Sequence, residues 1–388
     1  MKNNYTIAVL GGHSALDVCA GAKKHGFKTL AVCQKGREKT YAEYYKTRDG
    51  RGCVDEVLLV DKFADITGKD VNGVDVQSQL ISKNAIFIHN RYFWVYCNFN
   101  DIEDKQKFKV PIYGNRRYVK FEERNIGKNQ YWLLNQAKIK TPKVIRDGLV
   151  GFYNEKDLRK VLDDHFVINK GGPLIVKENE ALRTYERAFF IINSEQDYFD
   201  IGSRMVKNGV INEETLNSAL IEEFIIGAQV NFNFFYSTIN KRLELMGTDA
   251  RRQTSIDGFL RLDAERQLEL LRKGYRPSMI ETGHYSVTIK ESLIEKAYEI
   301  GEKFVKATEK HYGQKMIGPF ALQGAVSSEN GREELVIFDV SMRIPGSPGT
   351  RFTPYTGYLW GDQMSYGERI AIEIKEAIEQ KRLYEILT

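Results

Sequence analysis

Pro319-Phe320-Ala321-Leu322-Gln323-Gly324-Ala325-Val326, a polar turn, and then Leu335-Val336-Ile337-Phe338-Asp339-Val340-Ser341-Met342-Arg343 decide how this chain is read. The second run alternates as a half-buried strand does, so Asp339, Ser341 and Arg343 project from one face and Val340 and Met342 from the other. Gln323 stands on the preceding run, joined through Ser327 to Arg332 by a hairpin-like turn that carries Asn330-Gly331. Oxygen and amide groups aligned in this way suit a hard divalent ion that keeps water and substrate phosphate in its shell. An arginine beyond them suits charge on a transferred phosphoryl group. An ordinary strand with a solvated face satisfies the same alternation, so these runs by themselves leave both readings open.

At 388 residues the chain is long for a single core and is expected to form two or three domains, with 42% hydrophobic residues to fill them. No apolar run approaches the roughly 20 residues of a membrane helix. Tyr5 to Leu10 is a short strand-like run met at once by glycines, unlike a signal peptide, so a cytoplasmic protein is expected. Cysteines at 19, 33, 53 and 97 lack the close pairing of a zinc ribbon or a disulfide framework, which points to buried free thiols. The six histidines (13, 25, 89, 165, 284, 311) form no i, i+4 pair, against a free-standing metal hydrolase. A formal charge of +5 suits anionic small molecules, but the basic residues are dispersed among acids and form no nucleic-acid stripe.

Working outward to the N-terminus, Thr6 to Leu10 reads as a strand, Gly11-Gly12-His13-Ser14 as a tight turn, Ala15 to His25 as a helix and Lys28 to Cys33 as a second strand. The glycines let backbone approach a ligand closely. Ser14 is expected to cap the helix, whose free first-turn N–H groups suit phosphate. The glycine pattern is not a full G-x-G-x-x-G and no acid directly follows the second strand, so a phosphate or mononucleotide is favoured over a dinucleotide. His13 reads equally as a ligand contact or a turn residue. Strands are expected at Val57 to Val60, Ala85 to His89 and Val110 to Tyr113, completing an open α/β sheet. The polar segment from Gln34 to Thr40 falls at the carboxyl edge where such sheets bind ligands, or is a solvated loop.

Beyond a helix from Asn129 to Ala137, Thr141-Pro142 opens a region of different texture. A helix from Glu155 to His165 leads to the strand Leu174-Ile175-Val176-Lys177, which ends on a lysine, and Arg187 to Ile192 reads as its antiparallel neighbour. Leu220 to Tyr236 forms two strand-like runs hinged at Gly227, with Glu222-Glu223 inside the first; paired acids in an apolar run are costly unless they face a ligand or a cation. Leu243 to Met246 reads as a strand feeding the doubly basic segment Asp249 to Ser255. Helices follow at Glu291 to Tyr312 and Gln363 to Lys381.

The order of these pieces resembles an ATP-grasp ligase: a strand-end lysine (Lys177), a Glu-Glu-aromatic-Ile-x-Gly hinge (Glu222 to Gly227) and an acid-x-polar-x-Arg strand (Asp339, Ser341, Arg343). More narrowly, the chain resembles, nearly end to end, the archaeal PurP family, the formate-dependent formaminoimidazole-carboxamide ribonucleotide synthetases of purine biosynthesis. The likeness is most specific in Gly12 to Cys19, Ala31 to Tyr41, Lys109 to Arg116, and Leu243 to Met246 with the block from Asp249 to Ser255. The resemblance implies α/β and α+β architecture: an open N-terminal α/β ribonucleotide-binding domain over residues 1–125, an ATP-grasp lid over 126–220 and a C-terminal ATP-grasp part over 221–388. It also implies that ATP activates formate as formyl phosphate, which the exocyclic amine of an aminoimidazole-carboxamide ribonucleotide captures. Lys177 would meet ATP phosphates, and Glu222, Glu223, Phe224 and Ile225 adenine and ribose. Gln323, Asp339 and Ser341 would take Mg²⁺ or Mn²⁺, and Arg343 would stabilise the transferred phosphoryl. His13, Ser14, Lys35, Arg91, Arg251 and Thr254 would hold the ribonucleotide. A homo-oligomer is expected.

Four departures from the family pattern cluster around these positions. Glu178 to Glu186 has no glycine where the family carries a glycine-rich loop, leaving Arg183 and Arg187 to clamp phosphate. Asn90-Arg91-Tyr92 replaces a His-Gly-Ser element. Gln323 and Asp339 replace two glutamates, which removes one negative charge and weakens Mg²⁺ binding. The tail from Ile344 to Tyr355 is unusually rich in proline. A sister ligase with another carboxylate or ribonucleotide, or a non-catalytic nucleotide-binding subunit, is the alternative these departures keep open.

Overall fold

The computed structural model describes residues 4–148, 154–178, 189–329 and 331–388. Three sheets organise them. The first is parallel, in the order β3-β2-β1-β4-β5, from β1 (Thr6–Leu10), β2 (Lys28–Gln34), β3 (Glu56–Val60), β4 (Ala85–Ile88) and β5 (Ile112–Tyr113). Its strands are near-continuous apolar runs because both faces are covered. The strand order reverses between β1 and β4, which places a crevice beyond their carboxyl ends, where Gly11 to Ser14 and Asn90-Arg91 lie.

The second sheet is antiparallel, in the order β6-β9-β7-β8, from β6 (Val144–Arg146), β7 (Leu174–Lys177), β8 (Phe190–Ile192) and β9 (Leu220–Glu223). Helices Glu155–Asp163 and Glu195–Lys207 cover it with Leu158, Leu162 and Tyr198, each helix capped by an Asn154 or Ser194 oxygen that accepts a first-turn N–H. The third sheet is the largest, in the order β12-β11-β10-β13-β14, from β10 (Ala228–Ser237), β11 (Arg242–Ser255), β12 (Met279–Val287), β13 (Gly318–Glu329) and β14 (Arg332–Ser341). Helix Glu291–Tyr312 buries one face, where Phe304 and Val305 share a core with Phe232, Phe234, Phe320 and Val340. The opposite face carries the polar residues.

The C-terminal helix, Tyr366–Glu379, returns to the first sheet and packs on helix Ala15–Lys24. A Cβ at Gly21 would lie 2.1 Å from the carbonyl carbon of Gly367, so glycine at both positions permits the backbones to touch. Asp17 seals the contact by accepting the Gly367 N–H at 2.9 Å.

Several local expectations change. Ser14 makes no side-chain cap; its hydroxyl donates to the Pro345 carbonyl at 2.6 Å and ties the first turn to the C-terminal tail. The strand expected from Val110 is reduced to Ile112–Tyr113. The strand at Leu243 runs on to Ser255, because Arg251 and Gln253 line clefts and Asp249 is buried among Asn231, Asn233 and His284, which hides the strand's alternation. Strand β12 leaves no period-two signal in the sequence for a similar reason: it is an edge strand without a fully buried residue. The hinge at Gly227 has its expected place, between the end of β9 in the second sheet and the start of β10 in the third. Asn330, residues 179–186 with Arg183, and Arg187 lie outside the described residues. Among the described residues no helix is long and apolar enough to cross a membrane.

Candidate active site

Strand register builds the polar face. Asn231 on β10 stands opposite Asp249 on β11 and Gln323 on β13, and Gln323 opposite Asp339 on β14, so one polar row crosses four strands. Two residues along β11, Arg251 stands opposite His284 of β12. A bulge between Gln323 and Gly324 leaves Phe338 without a cross-strand partner, so Phe338 and Asp339 both reach cleft surfaces that strict alternation would deny to one of them.

Two clefts open over this face and share a wall. The polar cleft, about 620 Å³, takes in His13, Arg91, Glu122, Gln323, Ser341, Arg343 and the β12 residues Glu281 and His284. The more apolar cleft, about 610 Å³, lies against the second sheet and is lined by Ile175, Lys177, Glu222, Glu223, Phe224, Ile225 and Phe338. Asp339 and Arg251 belong to both. The carboxylate of Asp339 accepts from Arg124 at 2.9 Å and faces the Arg251 guanidinium at 3.7 Å.

In the polar cleft, Gln323 donates its amide to the Ser341 hydroxyl at 3.2 Å, while its carbonyl oxygen is buried without a hydrogen-bond partner among the described residues. An unsatisfied buried acceptor is costly unless a ligand meets it. Arg343 pairs with Glu122 at 3.3 Å, and the other Glu122 oxygen accepts the Met342 N–H at 2.7 Å. Burial pushes the Glu122 carboxyl up, against the pull of Arg343 and Arg91. His13 sits at φ +50, and burial, with Arg343 and Arg91 beside it, holds its imidazole well below the usual histidine range, so the ring is neutral. His284 is the opposite case: Nδ1 faces Asp249 and Nε2 meets Glu281 at 2.9 Å.

In the apolar cleft, the Lys177 ammonium lies 2.5 Å from Glu222 and donates to the Phe338 carbonyl at 3.0 Å and the Tyr131 hydroxyl at 3.2 Å. Burial pushes that ammonium down and Glu222 pulls it back up. Tyr131 donates in turn to Glu222 at 2.6 Å, so Glu222 is occupied with lysine and tyrosine while Glu223 remains at the cleft surface.

Of the residues singled out in the sequence, the clefts gather Lys177, Glu222, Glu223, Phe224, Ile225, His13, Arg91, Arg251, Gln323, Asp339, Ser341 and Arg343. Ser14 is buried and lines neither cleft, but its hydroxyl donates to Pro345, which lines the polar one. Lys35 and Thr254 are exposed and line neither cleft: Lys35 follows β2 in a turn, and Thr254 lies opposite Ile280 towards the free end of β11. Arg124, Tyr131, Glu122, Glu281, His284 and Phe338 were not foreseen as site residues. The charged run Glu122-Glu123-Arg124, all of it buried, is the one of these with a legible signal, since such a run inside a fold demands partners. Among the described residues no group of three or more His, Cys, Asp or Glu is arranged to hold a metal ion.

Two family models match the chain, a protein of unknown function over residues 7–145 (DUF1246) and a domain of unknown function over residues 197–388 (DUF1297). A relative from Methanobrevibacter smithii, a 5-formaminoimidazole-4-carboxamide-1-(beta)-D-ribofuranosyl 5'-monophosphate synthetase, is 33% identical over 100% of this chain and 95% of its own length. The crystal structure of the IMP biosynthesis protein PurP from Thermococcus kodakaraensis superposes with a TM-score of 0.65 at 23% identity, covering 98% of this chain and 100% of that one. A biotin carboxylase–beta-gamma-ATP complex from Campylobacter jejuni superposes with a TM-score of 0.59 at 13% identity, over 96% of this chain and 70% of that one. The fold is the ATP-grasp fold.

Proposed function

The chain belongs to the archaeal PurP family of formaminoimidazole-carboxamide ribonucleotide synthetases, and from that membership we propose that it is an ATP-dependent carbon–nitrogen ligase joining formate to the amine of aminoimidazole-carboxamide ribonucleotide in purine biosynthesis. The structural observation that carries the reading is the wall shared by the two clefts, Asp339 and Arg251. A phosphoryl group that starts in the apolar cleft and an acyl acceptor in the polar cleft would meet there without crossing solvent.

A formate oxygen attacks the γ-phosphorus, ADP leaves, and formyl phosphate results. The amine then attacks the formyl carbon, phosphate leaves, and the amine gives up a proton. Phe338, Phe224 and Ile225 offer apolar surface for adenine, and Glu223 an acceptor for ribose. Lys177 and Arg124 meet the phosphates, with Glu222 and Tyr131 aiming the lysine. Arg343 takes the charge that develops on the transferred phosphoryl and on the tetrahedral formyl centre. Arg91 and the neutral ring of His13 hold the ribonucleotide.

Hard oxygens suit Mg²⁺ or Mn²⁺, and the unpartnered Gln323 carbonyl oxygen with the Asp339 carboxylate and the Ser341 hydroxyl fit one such ion. When bound, the ion neutralises phosphate charge. The test is ADP formation with formate and ribonucleotide supplied separately and together. The reading requires ADP that depends on both; ADP formed with formate alone at the full rate, or with neither dependence, would contradict it.

A further inference from the structure

Six charged side chains of alternating sign run through the site in one line: Asp249, His284, Glu281, Arg251, Asp339, Arg124. The separations are 2.9 Å from His284 Nε2 to Glu281, 3.3 Å from Glu281 to Arg251, 3.7 Å from Arg251 to Asp339 and 2.9 Å from Asp339 to Arg124; His284 Nδ1 is hydrogen-bonded to Asp249. The charge on His284 follows from the geometry. A carboxylate only accepts, so an imidazole with a carboxylate at each nitrogen must donate from both and is an imidazolium. Asp249 is in turn fixed, accepting from Asn231 at 2.8 Å and from Asn233 at 2.5 Å.

We propose that His284 is a positioning residue: clamped as a cation between Asp249 and Glu281, it aims Glu281 at Arg251 and so holds Arg251 at the wall between the clefts. Without that cation, Asp249 and Glu281 repel each other, Glu281 turns away, and Arg251 loses the partner that sets its distance from Asp339. The inference rests on the ligase reading for its kinetic consequence, not for the clamp itself. The groups facing His284 are Asp249 and Arg251 from β11, Glu281 from its own strand β12, and His13 beyond β1, with Asn231, Asn233 and Ser347 as neutral neighbours. Burial opposes the imidazolium charge, but the hydrogen bonds to Asp249 and Glu281 outweigh it and raise the ring to about 9. The clamp therefore holds through neutral pH and opens above about 9.

The test is a double-mutant cycle of His284→Asn and Glu281→Gln, read in two ways. Histidine-selective NMR titration of the whole protein gives a His284 midpoint near 9 that falls by at least one unit in Glu281→Gln. Ligation assays give an alkaline limb with the same midpoint, absent in His284→Asn. Each single variant loses kcat by about 10²-fold with the KM for ATP within twofold, and the double variant is no worse than either. A His284 midpoint near 6.5, or a midpoint that ignores Glu281→Gln, overturns the clamp with no turnover needed. Additive losses, or an alkaline limb that survives in His284→Asn, overturn the positioning role. Wild-type protein that titrates near 9 yet forms no product contradicts the ligase reading and supports the clamp, so the two failures are separable.

Discussion

The ammonium of Lys177 lies 2.5 Å from the carboxylate of Glu222, and neither side chain is more than 5% exposed. Such a pair is weak evidence of net stabilisation, but breaking it is costly because one charge stays buried alone. Glu222→Gln should lower unfolding free energy by about 3–5 kcal/mol, measured by urea denaturation. Lys177→Met combined with Glu222→Gln should recover most of that loss, since no lone charge remains. A single variant as stable as wild type would show that Lys177 finds its compensation elsewhere.

Arg343 is expected to matter for turnover far more than for binding. Its guanidinium is buried against Glu122 at the polar cleft, where a developing phosphoryl charge would lie. Arg343→Ala should reduce product formation by about 10²-fold or more, with ribonucleotide affinity by calorimetry changed only several-fold. Unchanged kcat would remove the late strand from the chemistry.

Gln323 sets the charge of the candidate cation site. Its neutral carbonyl beside Asp339 offers one carboxylate where two would bind a divalent ion more tightly. Gln323→Glu should tighten Mn²⁺ binding, read by electron paramagnetic resonance of free Mn²⁺ in the presence of ADP. Equal or weaker binding would mean that Gln323 does not face the ion.

The fold's pH dependence should carry the mark of His284 and Asp249. The raised His284 stabilises the folded chain fully below its ordinary value of 6.5, and that contribution is lost as pH rises towards about 9. For Asp249, burial pushes the carboxyl up, but His284 and two asparagine amides hold it below its ordinary 3.8, so its contribution is present above that value and lost as pH falls through the acid range. Wild type and His284→Asn should therefore differ in urea stability at pH 6 and converge by pH 10, the direction set by the raised ring. A gap that widens with pH would reverse the assignment.

The late strand was legible because alternation alone puts Asp339, Ser341 and Arg343 on one face, and the structure keeps all three at the polar cleft. Phe338 was not, because a one-residue bulge is invisible to a period-two pattern. Glu281 and His284 were missed with their strand, since an edge strand facing a cleft has no apolar face to announce it. Lys35 and Thr254 stand in stretches that carry the family likeness, yet both side chains are exposed away from the clefts; motif membership says which segment matters, and only the fold says which way a side chain turns. The Gly21–Gly367 contact joins residues far apart in sequence and follows from two glycines whose significance no local pattern shows.

Phosphoryl transfer across the wall formed by Asp339 and Arg251, through formyl phosphate, would leave an isotopic signature in both products. Formate labelled with ¹⁸O at both oxygens, turned over with ATP and aminoimidazole-carboxamide ribonucleotide, tests it directly by mass spectrometry of both products. One labelled oxygen is expected in the released phosphate for each formylated product, and the other in the formyl group. Unlabelled phosphate alongside formylated product would rule out the acyl phosphate and the shared wall as its place of transfer.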